Sequence, residues 1–498
     1  MRKSFLALTL LSWIMTSHLY AGTVSVADAQ NVALNFFKSN APTQSGTAPT
    51  ARLVYTRTEA NNQIDFYVFD MSPARGFVIV AADDNVIPIL GYSIESSFNT
   101  NFNHTGLSNW IYKTGRNISL ALQHNAVADA HIQGQWSAYR QGVNPNVQRS
   151  NTVSPLCATT WDQESSTPPP FLYNLYCPYN NTDQQRALTG CEATAMAQVM
   201  KYWNYPAQGT GSFSYVDDTQ NGYSNNYGTQ SSNFAAHTYQ WSLMPDILTG
   251  SEPGADDTAV AVLMYDCAVS IGMDFGDDNQ NGSGANALLY WETQYGDSFC
   301  TQVALPRYFG YDKDTIRGVI EDSFSAPAWI AVIEHELNVG RPVIYEGNDP
   351  VQGGHAWVCD GYDATDKLHM NWGWSGSSNG YFAVNNLTTP GNFNPIDSDD
   401  ALIGILPKSG ASGVNTVDAM TSFTVYPNPA SHDVILRTNE TAIGASWNFK
   451  NIMGQTLMSG SILGTQTHIN IDNVVSGIYL IELSTGDKSI VRKLVVSR

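Results

Sequence analysis

Cys191 is the residue of this chain best placed by its neighbours to do chemistry. The run from Thr189 to Tyr202 is rich in good helix formers, Thr189 suits an N-cap, and Glu192 follows at the spacing of a capping box. Cys191 would then lie in the first helical turn, where free backbone N–H groups and the helix dipole favour a nucleophilic thiolate. A free cysteine can equally be a small buried apolar residue, so this segment alone does not decide its role.

A histidine far downstream supplies the second group that a cysteine nucleophile needs. His355 follows the glycine pair Gly353–Gly354, and Asp360–Gly361 is predicted to turn the chain back. Two strands joined by this turn would place Asn371 beside His355. An imidazole that activates a thiol needs an orienting group, and an amide can serve, so the pattern predicts a Cys–His pair with Asn371 behind it.

The residues around these positions resemble one family. The stretches TGCEATAMAQVMKYWNYP and GGHAWVCDGY…HMNWGWSG resemble the streptopain family of secreted papain-like cysteine proteases. The resemblance implies an α+β papain-like domain in which Cys191 is the nucleophile and His355 the general base and acid. It also implies that Asn371 and Trp372 orient and shield the histidine.

Acyl transfer needs donors for the developing oxyanion, and the backbone N–H of Cys191 is one. Gln163, Gln184 and Gln185 are candidates for the second donor. Glu346 stands where the resemblance leads us to expect an amide, and a carboxylate would repel an oxyanion.

Three small residues are predicted to bind substrate. Gly354 directly precedes the proposed base and could offer backbone hydrogen bonds to an extended peptide. Ser283 and Gly284 belong to a glycine-rich loop that lines the cleft in the family. That loop is equally well interpreted as a disordered surface turn.

Length and charge limit the remaining interpretation. A chain of 498 residues predicts about three domains. With 24 basic and 44 acidic residues the formal charge is −20, which argues against binding nucleic acid or anionic lipid. Residues 1–21 have the charged start and short apolar core of a secretory signal peptide, and the apolar run is too short for a comfortable membrane anchor.

Residues 22–150 are predicted to be an inhibitory α+β propeptide. One helix should bury Ala29, Val32, Ala33, Phe36 and Phe37, and several strand-like runs follow. The block GFVIVAADDNVIPILGYS resembles the streptopain-type propeptide, which implies a latent precursor; an ordinary accessory domain is the alternative. The polar stretch 144–154, with Arg149, suits an activation cleavage, and the protease domain is assigned to 151–407.

The last part of the chain changes composition. Residues 408–421 read as a linker, and 422–498 contain about six short strands with turns, which predicts a small all-β sandwich. The runs VYPNPASHDVILR and VRKLVVSR resemble the C-terminal sorting domain of the type IX secretion system. An immunoglobulin-like binding or spacer domain is the alternative.

Six cysteines complete the sequence. If Cys191 is the free nucleophile, one of the other five stays unpaired. Cys157 and Cys177 could form a bridge, whereas Cys267 and Cys359 lie in apolar runs and are predicted to be buried thiols. No cysteine or histidine spacing matches a zinc site, so we expect neither a metal nor a cofactor.

Together these features predict a secreted or surface-exposed cysteine endopeptidase made as a zymogen. Its expected partners are protein or peptide substrates, its own propeptide and the type IX secretion machinery, and not nucleic acid. Two alternatives stay open. One is another acyl-transfer enzyme on this scaffold, such as an amidase or transglutaminase; the other is a non-catalytic surface adhesin with a relic protease domain.

Overall fold

The computed structural model of the chain describes most of its length. The described residues are 22–41, 48–102, 106–145, 152–163, 172–182, 184–249, 254–277, 280, 282–289, 299–349, 353–384, 387, 399–408, 424–426, 428, 430–438, 445–451, 455–462, 466–485 and 488–497. The predicted signal peptide, Arg149 and all but the first residue of the predicted linker lie outside them.

Seven α-helices lie in the described part of the chain: α1 Val26–Asn40, α2 Gly106–Gln123, α3 Ala130–Arg140, α4 Cys191–Trp203, α5 Ala255–Ser270, α6 Thr301–Phe309 and α7 Ala326–Asn338. The helix α1 is the one predicted from its apolar spacing, and its N-cap Ser25 accepts a hydrogen bond from Asp28 N at 3.2 Å. Its buried face consists of the five predicted residues. Within the described residues, none of the helices combines the length and the apolarity needed to cross a membrane.

The strands up to the predicted linker are β1 Thr50–Thr58, β2 Ile64–Ser72, β3 Phe77–Ala81, β4 Ile89–Ser93, β5 Tyr179–Asn180, β6 Gln185–Arg186, β7 Phe213–Asp217, β8 Gly228–Ser232, β9 Arg317–Ile320, β10 Val343–Asp349, β11 Gly353–Tyr362, β12 Leu368–Asn371, β13 Gly380–Phe382 and β14 Asp400–Ile403. The remaining seven are β15 Thr424–Tyr426, β16 Asp433–Arg437, β17 Ser446–Asn451, β18 Thr456–Ser461, β19 Gln466–Asn470, β20 Gly477–Thr485 and β21 Lys488–Val496.

One ten-stranded sheet runs through both the predicted propeptide and the predicted protease. Its order is β1-β2-β3-β4-β13-β12-β11-β10-β14-β9. The junction is the antiparallel pairing of β4 with β13, where Tyr92 lies opposite Tyr381 and Gly91 opposite Phe382. The two segments therefore share one sheet, although the sequence suggested a separate N-terminal region.

Two apolar cores cover the two faces of this sheet. The first combines α1, α2, α3 and α7 with side chains of β2, β3 and β11, such as Trp357 and Cys359. The second combines α4, α5 and α6 with the alternate residues of β11, such as Ala356 and Val358. Because successive strand residues point to opposite faces, β11 contributes to both cores. The predicted α+β class is confirmed.

The C-terminal module is a sandwich of a three-stranded sheet, β15-β16-β19, and a four-stranded sheet, β18-β17-β20-β21. Its core includes Trp447, Phe449 and Ile481, which are at most 8% exposed. The described residues give seven strands where the sequence suggested about six, because Thr424–Tyr426 also pairs into the sheet.

The six cysteines are all free thiols, so the suggested bridge between Cys157 and Cys177 is wrong. The backbone N–H of Cys157 donates to Asp360 Oδ2 at 2.9 Å, which ties that residue to β11. Cys177 is buried, with its sulfur 3.8 Å from Thr189 Oγ1 in front of α4. Cys267 and Cys359 are fully buried thiols, as predicted.

Candidate active site

The helix that carries Cys191 begins one residue later than the sequence suggested. Gly190 is the N-cap, with φ +93°, and no side chain caps the helix. The predicted capping box is wrong because Thr189 and Glu192 are buried and bonded elsewhere. Thr189 N donates to Gln163 O at 3.2 Å, and the Glu192 carboxylate accepts from a hydroxyl of α6. Cys191 is therefore the first residue of α4, as close to the free N–H groups as a helical residue can be.

The sulfur of Cys191 lies beneath the start of β11. Ala356 N donates to Cys191 Sγ at 3.4 Å. Burial raises the pKa of the thiol to about 11; the Ala356 N–H lowers it, while the carboxylates of Glu192 and Glu346 raise it further. Together these effects raise the pKa of the thiol, whereas the helix N-terminus alone would favour the thiolate.

His355 lies in β11 directly before Ala356, the residue whose N–H donates to the Cys191 sulfur. His355 lies opposite Gly347, and Ala356 lies opposite Glu346. The Nε2 atom of His355 is shielded from solvent. A side chain at Gly347 would collide with Asn109 Nδ2, so α2 of the N-terminal segment closely contacts the strand position opposite His355.

The predicted turn at Asp360–Gly361 is wrong, because both residues continue β11. The chain turns at residues 363–366, where Asp363 Oδ1 accepts from Thr365 N at 2.7 Å and from Lys367 N at 3.0 Å. Gly361 instead allows β11 to pack closely against the backbone at Val153, since a Cβ at position 361 would lie 2.7 Å from Val153 O.

Asn371 ends β12 and lies opposite Val358 in β11, three positions along from His355. Its Nδ2 donates to Thr159 O at 2.7 Å and to Gln198 Oε1 of α4 at 3.1 Å. The amide thus ties β12 to α4.

Trp372 is 1% exposed and lies on the other face of the sheet. Its Nε1 donates to Ser378 O at 3.0 Å, and its ring centroid lies 5.2 Å from that of Trp357. A side chain at Gly106 of α2 would meet both indole rings within 3 Å, so the N-terminal segment covers Trp372 here.

Gln163 and Ser283 both lie near the start of α4. Gln163 is 5% exposed, and its carbonyl accepts from Thr189, two residues before Cys191. Ser283 Oγ donates to Leu188 O at 2.7 Å and accepts from Gly276 N at 2.9 Å. Ser283 therefore fastens its loop to the segment that leads into the helix.

Gly354 and Gly284 have open space in front of them. The atom nearest to a Cβ built on Gly354 is Asn348 Oδ1, at 3.9 Å, and no atom lies within 4 Å of one built on Gly284. Gly284 pairs with Asp274 through two hydrogen bonds of 2.9 Å, which fix this end of its loop. Both glycines leave room for a ligand backbone.

Two carboxylates near the thiol make contacts that the sequence did not predict. Glu346 Oε1 accepts from Ala287 N at 2.7 Å, which holds the chain after the glycine-rich loop. Glu192 is fully buried directly behind Cys191. The sequence does show a glutamate within an apolar helical run, which is typical of a buried carboxyl group. The capping interpretation led us to expect Glu192 at the helix surface instead.

A second unpredicted cluster joins the N-terminal segment to β12. His369 is 3% exposed, with Nδ1 2.6 Å from Asp360 Oδ1 and Nε2 2.9 Å from Glu95 Oε1. Burial lowers the pKa of His369, but the two carboxylates outweigh it and raise the pKa to about 9. Across the described residues, no group of three or more His, Cys, Asp or Glu side chains is arranged to hold a metal ion.

The chain is a cysteine protease by class. Its fold is α+β, and Cys191 starts a helix that packs against the strand carrying His355, an arrangement typical of these enzymes. Residues 161–382 match the model of the Peptidase C10 family, so the chain contains a domain of this family. Residues 21–118 match the Spi protease inhibitor, and residues 424–497 match the secretion system C-terminal sorting domain. The resemblance to streptopain is confirmed, and the sorting domain indicates export.

Known relatives agree with this assignment. The thiol protease/hemagglutinin PrtT of Porphyromonas gingivalis is 30% identical over 447 residues, which are 86% of this chain and 47% of PrtT. The chain thus spans about half the length of that relative. Streptopain of Streptococcus pyogenes is 28% identical over 76% of this chain and 91% of its own length. The solved structure of a prointerpain A fragment from Prevotella intermedia has 29% identity and a TM-score of 0.56, over 72% of this chain and all of that fragment.

Proposed function

We propose that this protein is an exported cysteine endopeptidase, made as a latent precursor, in which Cys191 is the nucleophile and His355 the general base and acid. The observation that carries the proposal is the position of the Cys191 sulfur. It lies at the N-terminus of α4 and 3.4 Å from the backbone N of Ala356, the residue after His355.

The reaction is peptide hydrolysis in two steps. His355 takes the proton of the Cys191 thiol, the thiolate attacks the scissile carbonyl, and His355 returns a proton to the departing amine. Water, deprotonated by His355, then hydrolyses the thioester and releases the acid. The backbone N–H of Cys191 and the side chain of Gln163 are the proposed oxyanion donors. Gly354, Ser283 and Gly284 are proposed to border the bound peptide.

Asn371 and Trp372 are proposed to orient and shield His355 in the active enzyme. Their contacts here, to Thr159, Gln198 and the residues around Gly106, belong to a structure in which the N-terminal segment is still in place. Removal of α2 would free the indole face of Trp372.

Latency is proposed to come from the N-terminal segment 22–150. Its helix α2 contacts β10 and β11, and Asn109 closely contacts the position opposite His355. The raised pKa of the Cys191 thiol is consistent with an inactive precursor.

The first experiment is intact-mass analysis of the precursor without residues 1–21, wild type beside Cys191→Ala, under mild reducing conditions. We expect the wild type to shorten near residue 150 and the variant to remain whole. If both remain whole, the precursor does not activate itself, and that outcome counts against this part of the proposal.

Two alternatives give different products. A casein digest releases new amino termini if the enzyme is an endopeptidase, whereas a transglutaminase releases ammonia and forms cross-links. A relic protease domain would not react with a thiol-directed epoxide. Labelling that is lost in Cys191→Ala would exclude the relic.

Export is proposed to use the predicted signal peptide 1–21 and then the sorting domain 422–498. The type IX machinery would carry the chain across an outer membrane and leave it secreted or surface-attached. Deleting residues 422–498 should retain the protein inside the producing cell, as measured by cell fractionation.

A further inference from the structure

Glu192 carries a carboxyl group that is buried next to the proposed nucleophile in the sequence. It follows Cys191 in the first turn of α4, and its side chain is fully buried. One oxygen, Oε1, accepts a hydrogen bond from Thr301 Oγ1, the first residue of α6. The other, Oε2, is buried without a hydrogen-bond partner among the described residues. A buried carboxylate oxygen that lacks a donor strongly disfavours the charged form of the group.

Titratable groups lie on the elements that pack against α4. Cys191 precedes it on α4, Cys267 faces it from α5, Glu346 lies on β10, and His355 lies on β11. Across the described residues, Glu192 forms no salt bridge. Burial accordingly raises its pKa to about 7, although the Thr301 hydroxyl opposes that shift.

Glu192 acts on the neighbouring sulfur in two opposite ways. Its backbone N–H stabilises the thiolate of Cys191, while its carboxylate destabilises it. Two negative charges on adjacent side chains at a poorly solvated site repel each other far more than they would in water. The first effect belongs to the main chain and survives any substitution, but the second depends on the glutamate itself.

We propose that Glu192 is a positioning residue that sets the ionisation of Cys191: the sulfur becomes a thiolate readily only while the Glu192 carboxyl is neutral. This inference rests on the proposed role of Cys191 as the nucleophile. The core between α4, α5 and α6 contains no residue of the segment 22–150, so the effect persists after that segment is removed. The thiolate fraction of Cys191 consequently rises less steeply with pH across the titration of Glu192 than it would beside a neutral residue.

The test is the pH dependence of Cys191 alkylation by iodoacetamide, followed by mass analysis of the peptide that contains it. The full precursor is used, so all variants share the same fold and the same cover over the site. In Glu192→Gln we expect the midpoint of Cys191 ionisation to fall by about one pH unit or more, which is a tenfold rise in thiolate fraction at any pH well below that midpoint. Glu192→Asp keeps the charge and should keep the wild-type midpoint.

Two further variants keep the result decisive. Asp322→Asn removes one negative charge from an exposed position and should leave the profile unchanged. If Glu192→Gln does not fold, Glu192→Met removes the same charge from the apolar core and must give the same shift. A folded Gln or Met variant whose profile superimposes on the wild type overturns the inference.

The outcome is separable from the proposed function. A shifted thiol profile in a protein that cleaves no peptide bond would leave the inference standing and count against the protease assignment. An unshifted profile in a protein that does cleave would do the reverse.

Discussion

Replacing Lys113 with methionine tests how the N-terminal segment is held on the sheet. Lys113 lies on α2, and its ammonium group is 2.8 Å from Asp399 Oδ1 and 3.4 Å from Glu321 Oε2. The three side chains are between 3% and 8% exposed. Burial lowers the pKa of Lys113, but the two carboxylates outweigh it and raise the pKa, so the lysine is charged. In the sequence, Lys113 precedes the predicted activation site, and Glu321 and Asp399 follow it.

The expected loss is large because the substitution leaves charge behind. Glu321 Oε2 also accepts from Asp399 N at 3.0 Å, so the two acidic residues stay together when the lysine is gone. Removing one partner of a buried ion pair destabilises a protein by about 3–5 kcal/mol, mostly through the uncompensated charge that remains. Lys113→Met in a Cys191→Ala background should therefore lose about 3 kcal/mol or more of unfolding free energy.

The assay is guanidinium denaturation followed by tryptophan fluorescence, read at the transition that involves the ten-stranded sheet. The matched control is Arg52→Met, which removes a pair with Asp70 in which Arg52 is 77% exposed and should change stability by less than about 1 kcal/mol. Adding Glu321→Gln and Asp399→Asn to the Lys113 variant should recover most of the loss. A Lys113 variant as stable as the control, or a triple variant no better than the single one, would refute the reasoning.

The stability of the Lys113→Met variant should also depend on pH. Without Lys113, the buried acidic pair binds a proton more tightly in the folded chain than in the unfolded chain, so folding takes up a proton. Stability then falls as the pH rises. The deficit of Lys113→Met should accordingly be smaller at pH 5 than at pH 8, whereas a deficit from lost packing alone would be equal at both.

Three other measurements test separate parts of the structure. Gly190→Ala should abolish activity and lower stability, because φ is +93° and a Cβ would lie 2.5 Å from Met273 Cε; activity and thermal melting check this. The stabilisation from His369, held by Asp360 and Glu95, should be complete below its unfolded pKa of about 6.5 and lost as the pH rises through about 9, and His369→Gln should remove that slope. Thiol titration of the denatured, unreduced chain should find six free thiols; four would restore a bridge.

Local patterns in the sequence predicted the local elements correctly. The apolar spacing of α1, the helix after Cys191 and the strands of the C-terminal sandwich follow from periodicity, which depends on near neighbours only. Periodicity says which face of a strand is buried but does not identify its partner. The pairing of Tyr92 with Tyr381 therefore could not be predicted, since it joins strands almost 290 residues apart.

The errors near the site have a common cause, which is burial. Glu192 fits a capping box by spacing, but burial directs its carboxylate to Thr301. Asp360–Gly361 fits a turn, but the Asp360 side chain is bonded to His369 inside the protein, and the chain continues as a strand. In both cases a tertiary contact outweighed a local preference that is modest by itself.

The small size of the β4–β13 junction indicates how the N-terminal segment is retained. Only two residue pairs join the segments there, so few backbone hydrogen bonds hold it. The larger contact is aromatic: Trp110 of α2 lies 4.9 Å from Phe382, and its Nε1 donates to Ala383 O at 2.9 Å. Burying one such side chain contributes about 1.5–3 kcal/mol, and several aromatic side chains are buried here.

Cutting the chain near residue 150 removes none of these contacts, so we expect the cleaved segment to stay bound until it is itself unfolded or degraded. Co-elution of the two fragments on gel filtration would agree, and immediate separation would contradict it.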